Sequence, residues 1–377
     1  MDQPSYRRFL MRWQTPLAAV VVLTALTTSL TASAAPATDR HGSPDPGGNC
    51  SRDARFLGFS DSLDKTTFDG QPVAGLSAIN VTSPGRAMAL VDNIGTTPAR
   101  VFDLRISSKP TVSVKGMTIL RRPDGTAFTG ADFDGEGLVA ERGGKTILAT
   151  SEREPSIRRF RLSDGKEIAS LPVPARFQVA PAGEATSNAT FESLAVSPDG
   201  HSLFAGMEGP LAPDGTDASG STRNRILRYA GTPGHGYRLA EQLAYKPDPG
   251  LALVELAVVN RNELVSMERT FTPGVGNTIR VFTVSLRKAV DVSGRESLAD
   301  APAKVFLQKK LLFDLVNCPP SGAVAKQPQP NPLLDNVEGL ALGGYLPGGR
   351  RQLYLLSDDN GGATQITRLY SLAVDVH

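Results

Sequence analysis

The sequence has few histidines and cysteines, the residues that supply the base or the thiol nucleophile in many hydrolases. Its 377 residues include four histidines, two cysteines and one tryptophan. A serine hydrolase needs a histidine base beside its nucleophile. The histidines beyond the N-terminal region are His201 in a turn, His235 in a Gly-Pro loop and the terminal His377, and the G-x-S-x-G motif is absent. These observations argue against a Ser-His-acid triad.

The N-terminus carries the long uncharged stretch of the chain. Arg7, Arg8 and Arg12 precede an uncharged segment, residues 15–33, and small residues lead up to Ala34. This order is typical of a signal peptide, so we expect residues 1–34 to be removed near Ala34. The pair Arg7-Arg8 partly resembles a twin-arginine signal, and the choice between the two export routes stays open.

The rest of the chain has no excess of either charge. The first 34 residues hold three Arg and one Asp, so the totals of 40 basic and 38 acidic residues fall to 37 of each. A balanced surface has no field to attract nucleic acid or an anionic membrane, and no later segment reaches the roughly 18 apolar residues of a membrane span. We expect a secreted, periplasmic or cell-envelope monomer with a small-molecule ligand, no nucleic-acid partner and no stable membrane anchor.

Both cysteines, Cys50 and Cys318, lie beyond the predicted cleavage site. In an oxidising compartment we expect them to form a disulfide, with two unpaired thiols as the alternative. Residues 35–54 are mainly Pro, Gly, Ser and Asp, which have little to bury, and they are interpreted as a flexible leader. The folded domain is then predicted to span residues 55–377.

Long helical periodicity is missing, and short apolar or β-branched runs separated by turn signals take its place. Internal similarity aligns five stretches, which start at residues 75–77, 135–138, 191–194, 254–256 and 337–340. Each is followed by a turn, an apolar strand that ends in an acid, and a third strand. This repeat predicts an all-β fold, a β-propeller of five four-stranded blades, or six if the long last interval hides one. We expect residues 56–62 to close the ring by joining the last blade.

Acidic residues recur at two places in the repeat. The first strand of each blade lines the channel of a propeller, so residues at equivalent positions converge. The first-strand acids are Glu136, Glu192, Glu255 and Glu338. The acids that end the second strands are Asp92, Glu152, Glu208, Glu268 and Asp358. The first repeat has Gly75-Leu76-Ser77 in place of the glutamate, which leaves a gap in the predicted ring.

Crowded carboxylates raise one another's pKa unless cations compensate them. Arg153 and Arg269 each follow a second-strand acid, and ion pairs with them would be purely structural. Alternatively, oxygen ligands suit Ca²⁺. All nine acids are then candidate metal ligands, and further donors are Asp132, Asp134, Asp359 and Asn360. Both interpretations stay open.

Several segments together resemble a known family. They are residues 191–200, 207–211, 225–229, 267–271, 310–315, 335–342 and 357–360. The set resembles the phytase-like family, exported bacterial proteins labelled "esterase-like activity of phytase", over about residues 56–374. The motifs of the alkaline phytases themselves are absent.

The resemblance implies a propeller and suggests phosphoester hydrolysis, by analogy with alkaline phytases, in which Ca²⁺ bridges acidic channel residues and substrate phosphate. On this hypothesis Glu136, Glu192, Glu255 and Glu338 are the catalytic candidates, and Arg153 and Arg269 contact a phosphorylated ligand. Two alternatives stay open. One is a non-catalytic propeller that binds a ligand or an envelope partner, and the other is a metal-dependent lactonase or sugar-ester hydrolase.

Overall fold

The computed structural model describes residues 48–232 and 236–377. The predicted signal peptide, residues 1–34, and the leader up to residue 47 lie outside the described residues. Within them the chain forms β-strands and three short 3-10 helices, Ala175–Phe177, Ala303–Val305 and Leu315–Asn317. No helix in this part of the chain is long and apolar enough to cross a membrane.

The described chain is a succession of short strands, as the sequence predicts, joined by tight turns or by longer loops. In chain order they are β1 (Ala54–Ser60), β2 (Thr67–Phe68), β3 (Gln71–Pro72), β4 (Leu76–Ser83), β5 (Arg86–Val91), β6 (Arg100–Ile106), β7 (Val112–Ile119), β8 (Gly135–Ala140), β9 (Thr146–Ser151), β10 (Ser156–Arg161), β11 (Glu167–Ser170), β12 (Phe191–Val196), β13 (Ser202–Met207), β14 (Asn224–Thr232), β15 (Gly236–Tyr245), β16 (Ala252–Asn260), β17 (Glu263–Thr272), β18 (Gly276–Ser285), β19 (Gln308–Asp314), β20 (Val337–Tyr345), β21 (Arg351–Ser357) and β22 (Leu369–Val374).

Five antiparallel four-stranded sheets form the blades of a propeller. Blade 1 is β4–β7, blade 2 is β8–β11, blade 3 is β12–β15, blade 4 is β16–β19, and blade 5 is β20–β22 with β1. The first strand of each blade contacts the first strand of the next, and β20 contacts β4, which closes the ring. The predicted β-propeller is confirmed with five blades. The long last interval holds loops and the helices at residues 303–305 and 315–317 instead of a sixth sheet.

Two connections join the ends of the ring. Strand β1 pairs with β22, with Phe56 opposite Leu372, so the N-terminal strand completes the last blade as expected. Cys50 and Cys318 form the predicted disulfide, and Cys50 is buried although it lies in the predicted leader. A disulfide persists in an oxidising compartment, so this bond fits an extracellular or periplasmic protein.

Packing between adjacent blades buries both faces of the middle strands. In β18, Ile279 and Val281 pack into the core between blades 4 and 5, whereas Phe282 and Val284 pack toward blade 3. A strand buried on both faces has a nearly continuous run of apolar residues instead of strict alternation. This explains the apolar runs in the sequence.

Buried arginines at the start of third strands hold neighbouring loops. Arg225 in β14 is fully buried and pairs with Asp214 at 2.7 Å. Arg368, just before β22, is also fully buried and pairs with Asp61 at 2.6 Å. Arg100 in β6 donates instead to the carbonyls of Pro72, at 2.7 Å, and Pro98, at 2.8 Å. These contacts fix the loops that carry the partner residues.

Candidate functional site

An acidic cavity of about 320 Å³ lies where the first strands of the blades begin. Its wall is almost entirely polar, with side chains from all five blades or their loops. The lining residues are Asp92, Asn93, Asp134, Glu136, Glu152, Asn188, Glu192, Glu208, Arg269, Asn336, Glu338 and Asn360. Arg269 is the single cation among them. We call this feature the acidic cavity.

A β-bulge at the start of each first strand aims the glutamates into the acidic cavity. In blade 3, Phe191 pairs with Met207 and Ser193 with Gly206, so Glu192 has no partner on the neighbouring strand. Glu338 in blade 5 and Glu136 in blade 2 occupy the same bulged position. A bulge bends the strand and re-aims the extra side chain. In blades 2, 3 and 5 the bulge therefore places one glutamate in the wall of the acidic cavity.

Blade 4 departs from this pattern by one residue. Leu253 pairs with Glu268 and Glu255 with Met267, so the bulged residue is Val254 and not Glu255. A shift of one residue turns a side chain to the other face of a strand. Glu255 does not line the acidic cavity, and its carboxylate accepts the amide proton of Leu256 at 2.9 Å.

The same shift affects the second strand of blade 4. In the other blades, an acid such as Glu208 directly follows the second-strand residue that lies opposite the bulge. In blade 4 the residue at this position is Arg269. Glu268 faces the outer part of the blade, where Tyr245 donates to it at 2.5 Å and Lys309 forms an ion pair with it. Blade 4 thus supplies a cation where the other blades supply acids.

Blade 1 has no glutamate in its first strand and supplies a carboxylate from the end of its second strand. Ser77 occupies the bulged position, and Asp92 at the end of β5 reaches the acidic cavity. Gly75 has a φ of +65°, and a Cβ there would collide with Asp92 Oδ1 and Ile94. The missing side chain at Gly75 leaves room for the Asp92 carboxylate.

Burial and mutual repulsion control the charge of the acidic cavity. Burial, followed by the charge of Glu192, raises the pKa of Glu136 well above its ordinary value. Burial and the charge of Glu208 do the same for the pKa of Glu192. Burial also raises the pKa of Glu152 to about 7, although its carboxylate accepts the amide proton of Thr190 at 2.9 Å. The protein without a cation therefore holds protons in this cavity at neutral pH.

Asp92 and Asp358 each have a buried carboxylate oxygen without a hydrogen-bond partner among the described residues. Burial, followed by the charges of Glu338 and Asp134, raises the pKa of Asp92 to about 8. Burial and the charge of Asp92 raise the pKa of Asp358 well above its ordinary value. Asp358 does not line the acidic cavity, but its charge is close enough to act on Asp92.

Arg269 partly compensates the acids. Its Nη2 donates to Glu338 Oε1 at 2.9 Å, and its Nη1 donates to Asn336. Burial alone would lower the pKa of Arg269, but the charges of Glu338, Glu192 and Glu208 raise it. One guanidinium cannot balance the seven carboxylates that line the acidic cavity.

The structure brings most of the predicted site residues together. Glu136, Glu192, Glu338, Asp92, Glu152, Glu208 and Arg269 line the acidic cavity. Glu255, Glu268 and Asp358 do not line it, and Arg153 is exposed, although its charge acts on Asp134. Of the further donors, Asp134 and Asn360 line it, whereas Asp132 pairs with Arg122 and Asp359 with Lys65.

Three asparagines in the wall had no role in the sequence prediction. Asn93 follows Asp92, Asn188 lies in the loop before β12, and Asn336 directly precedes β20. Asn336 also donates to Glu338 Oε1 at 2.9 Å. The three asparagines lie in loops outside the repeat, so the repeat does not predict that they line the acidic cavity. Asn93 alone could be suspected, because it follows a predicted acid.

The donor set of the acidic cavity fits a hard cation. The carboxylates form two groups of three, and within each group one oxygen atom of every carboxylate lies within 4.8 Å of the others. The first group is Asp134, Glu136 and Glu152, and the second is Glu152, Glu192 and Glu208. Glu152 belongs to both groups. Oxygen ligands of this kind suit Ca²⁺ or Mg²⁺ better than the transition metals that prefer nitrogen or sulfur.

A family model described as phytase-like, "Esterase-like activity of phytase", matches residues 71–361. The chain belongs to this phytase-like family. The matched range includes every residue that lines the acidic cavity. No curated protein matches the chain.

Solved structures similar to this phytase-like chain include other propellers and enzymes at low identity. The Cps50 (Swd1) β-propeller domain of Myceliophteria thermophila is 11% identical, over 77% of this chain and 66% of that chain, with a TM-score of 0.33. The Pseudomonas aeruginosa periplasmic gluconolactonase PpgL is 13% identical over 88% and 97%, with a TM-score of 0.29. A family AA12 carbohydrate-active enzyme of Trichoderma reesei is 12% identical over 90% and 100%, with a TM-score of 0.38. This chain spans less than two thirds of the length of the first structures matched.

Proposed function

We propose that this phytase-like propeller is a calcium-dependent hydrolase of phosphate monoesters that acts at the acidic cavity. The observation that carries the proposal is the two sets of three carboxylates that share Glu152. Within each set, oxygen atoms of the three carboxylates lie within 4.8 Å of one another. Such crowding is unfavourable unless protons or cations compensate it. The family description, which names an esterase-like activity, supports a hydrolytic role.

Asp134, Glu136, Glu152, Glu192 and Glu208 are the residues that would hold the cation. Ca²⁺ takes about six to eight oxygen ligands in flexible geometry, and these carboxylates together with Asn93 and Asn188 offer enough donors. When bound, the ion would neutralise phosphate charge and polarise the phosphorus centre. This chemistry needs no nucleophilic side chain and no histidine base, which agrees with the four histidines of the chain and with the pairing of both cysteines in a disulfide.

The chain's own residues supply anion binding and proton transfer. Arg269 lies in the wall of the acidic cavity and presents the single guanidinium there, a group suited to phosphate oxygens. Asp92 lies in the same wall and can act as the acid that passes a proton to the ester oxygen. The water oxygen forms the new P–O bond, the ester P–O bond breaks, and a neighbouring carboxylate takes the water proton. Water and ester thus become phosphate and alcohol.

The test combines cation binding with phosphate release. We expect the full-length protein to bind Ca²⁺ in calorimetry and to release phosphate from aryl or alkyl phosphates with Ca²⁺ but not with excess chelator. Glu192→Gln removes one ligand charge and should weaken Ca²⁺ binding by about tenfold or more. Glu255→Gln is the matched control because Glu255 is equally buried and lies outside the acidic cavity.

Two results would contradict the proposal. If Ca²⁺ does not bind, or if Glu192→Gln and Glu255→Gln weaken binding equally, the acidic cavity is not the cation site. If Ca²⁺ binds but no phosphate ester is hydrolysed, the protein is a binding propeller or a hydrolase of other esters. A sugar lactone included in the substrate panel separates these two outcomes.

A further inference from the structure

A second cavity, of about 340 Å³, lies directly beside the acidic cavity. Glu208 and Arg269 belong to the walls of both, so the two cavities share a boundary. The rest of its wall comes from blade 4 and from the loops at residues 220–222 and 250–251. We call it the side pocket.

The side pocket differs from the acidic cavity in its chemistry. Phe271, at the end of β17, lines it and is 47% exposed, and Leu251 and Ala252 add apolar surface. An aromatic side chain exposed in the wall of a pocket is a common anchor for ligands, because a flat ring packs on it at little entropic cost. Among the described residues no other aromatic ring and no cation stacks on Phe271.

Backbone geometry keeps the side pocket open. Gly250 donates its amide proton to the carbonyl of Gly220 at 3.0 Å, which holds the two loops side by side. Both glycines have positive φ, +88° at Gly220 and +73° at Gly250, a conformation that residues with a side chain rarely adopt. A Cβ at Gly250 would meet no atom within 4 Å, so the space above it is free.

The charged part of the wall lies at the boundary with the acidic cavity, where Glu208 and Arg269 belong to both walls. The side pocket therefore combines an exposed aromatic surface with one acid and one cation at that boundary.

We propose that the side pocket binds the alcohol portion of the substrate and selects monoesters whose alcohol carries a flat, mainly apolar ring. This inference rests on the proposed hydrolysis at the acidic cavity. With the phosphate in that cavity, the ring of the alcohol lies in the side pocket against Phe271. The side pocket has one acid, Glu208, and one cation, Arg269, in its wall. It therefore has no excess positive charge to accept the further phosphates of a polyphosphorylated alcohol such as phytate.

The test compares two alkyl phosphates that differ in the ring. Benzyl phosphate and glycerol 2-phosphate both release an alkyl alcohol, so the comparison is not dominated by the leaving group. We expect Phe271→Ala to lower kcat/KM for benzyl phosphate about tenfold and for glycerol 2-phosphate less than twofold. Val275→Ala is the control, because Val275 is exposed on the same hairpin and does not line the side pocket.

A binding measurement makes the test independent of catalysis. Trp13 is the single tryptophan of the chain, so Phe271→Trp in a Trp13→Phe background gives a fluorescence reporter in the side pocket. We expect benzyl phosphate to change its emission with saturation and glycerol 2-phosphate to have little effect. Val275→Trp in the same background should respond to neither.

The outcomes separate the two proposals. If no ester is hydrolysed but the Phe271→Trp reporter responds to benzyl phosphate, the side pocket is supported and the proposed hydrolysis is wrong. If esters are hydrolysed but Phe271→Ala lowers both rates equally, the side pocket does not select the alcohol. A silent reporter in an active enzyme also overturns the inference, as does a higher kcat/KM for phytate than for benzyl phosphate.

Discussion

The carboxylates of the acidic cavity are costly to bury, and they are stabilised in two ways. Some accept hydrogen bonds, as Glu338 does from Arg269 and Glu152 from Thr190. Glu136 and Glu192 are stabilised by holding protons, since burial and the neighbouring acids raise the pKa of each. A bound cation would displace these protons. Cation affinity and pH are therefore linked in this site.

This linkage predicts how stability depends on pH. The pKa values of Asp92 and Glu152 are raised to about 8 and about 7, so the folded state keeps protons that the unfolded chain releases above about pH 4. The retained protons give their full stabilisation below about pH 4. This stabilisation is lost as the pH rises through the pKa values that Asp92 and Glu152 have in the folded state. In chelator we expect the melting temperature to fall between pH 5 and pH 8.5, because the free energy of unfolding decreases by up to about 1.4 kcal/mol per pH unit for each retained proton.

Differential scanning fluorimetry across this pH range checks the expectation. Millimolar Ca²⁺ should restore the melting temperature at pH 8.5 and have little effect at pH 5. Asp92→Asn should flatten the dependence in chelator. A melting temperature that rises from pH 5 to pH 8.5 in chelator would contradict the assignment of protons to this cavity.

At the scale of one strand, the β-bulge decides which residues reach the site. The different position of the blade 4 glutamate is visible in the sequence. Three glutamates lie two positions before a leucine, Glu136 before Leu138, Glu192 before Leu194 and Glu338 before Leu340. Glu255 directly precedes Leu256, and an alignment of the repeats on their glutamates hides this difference of one residue. In blade 1 the equivalent residue is Ile79, two positions after Ser77, and these five apolar residues line the opposite end of the channel. Loop residues such as Asn188 have no repeat to identify them.

Close approach of neighbouring first strands makes one glycine of the bulge essential. A Cβ on Gly137 in β8 would lie 2.6 Å from the backbone nitrogen of Leu194 in β12. We expect Gly137→Ala to destabilise the protein by about 1–3 kcal/mol and to weaken Ca²⁺ binding by displacing Glu136. Thermal melts and calorimetry measure both effects. Gly294→Ala is the control, since a Cβ there meets nothing within 4 Å, and equal melting temperatures for the two variants would disprove the packing argument.

At the scale of the whole molecule, the repeat made the architecture predictable. Local turn signals and apolar runs specify each strand, and five copies of the same pattern specify the ring. The closure by β1 and the disulfide were also predicted, because the sequence has one spare strand before the first repeat and two cysteines in total. The side pocket could not be predicted, because it depends on how loops from blades 3 and 4 meet.

The disulfide restricts a loop of 268 residues in the unfolded chain. We expect its removal in Cys50→Ser/Cys318→Ser to lower the free energy of unfolding by about 2–5 kcal/mol. The melting temperature in the presence and absence of dithiothreitol measures this. The wild type should lose stability on reduction, and the double variant should not respond. An equal response of both proteins would show that the reductant acts elsewhere.

The pairing of β1 with β22 also has a consequence for the order of events during synthesis. The N-terminal strand emerges from the ribosome first, and its partner, Leu369–Val374, emerges last. Blades 1 to 4 can form while the nascent chain lengthens, but the ring stays open until the final residues arrive. Such contacts between distant parts of the chain slow folding. A chain that is translocated before β22 is complete would therefore still be open, and it would expose the unpaired edges of β1 and β21.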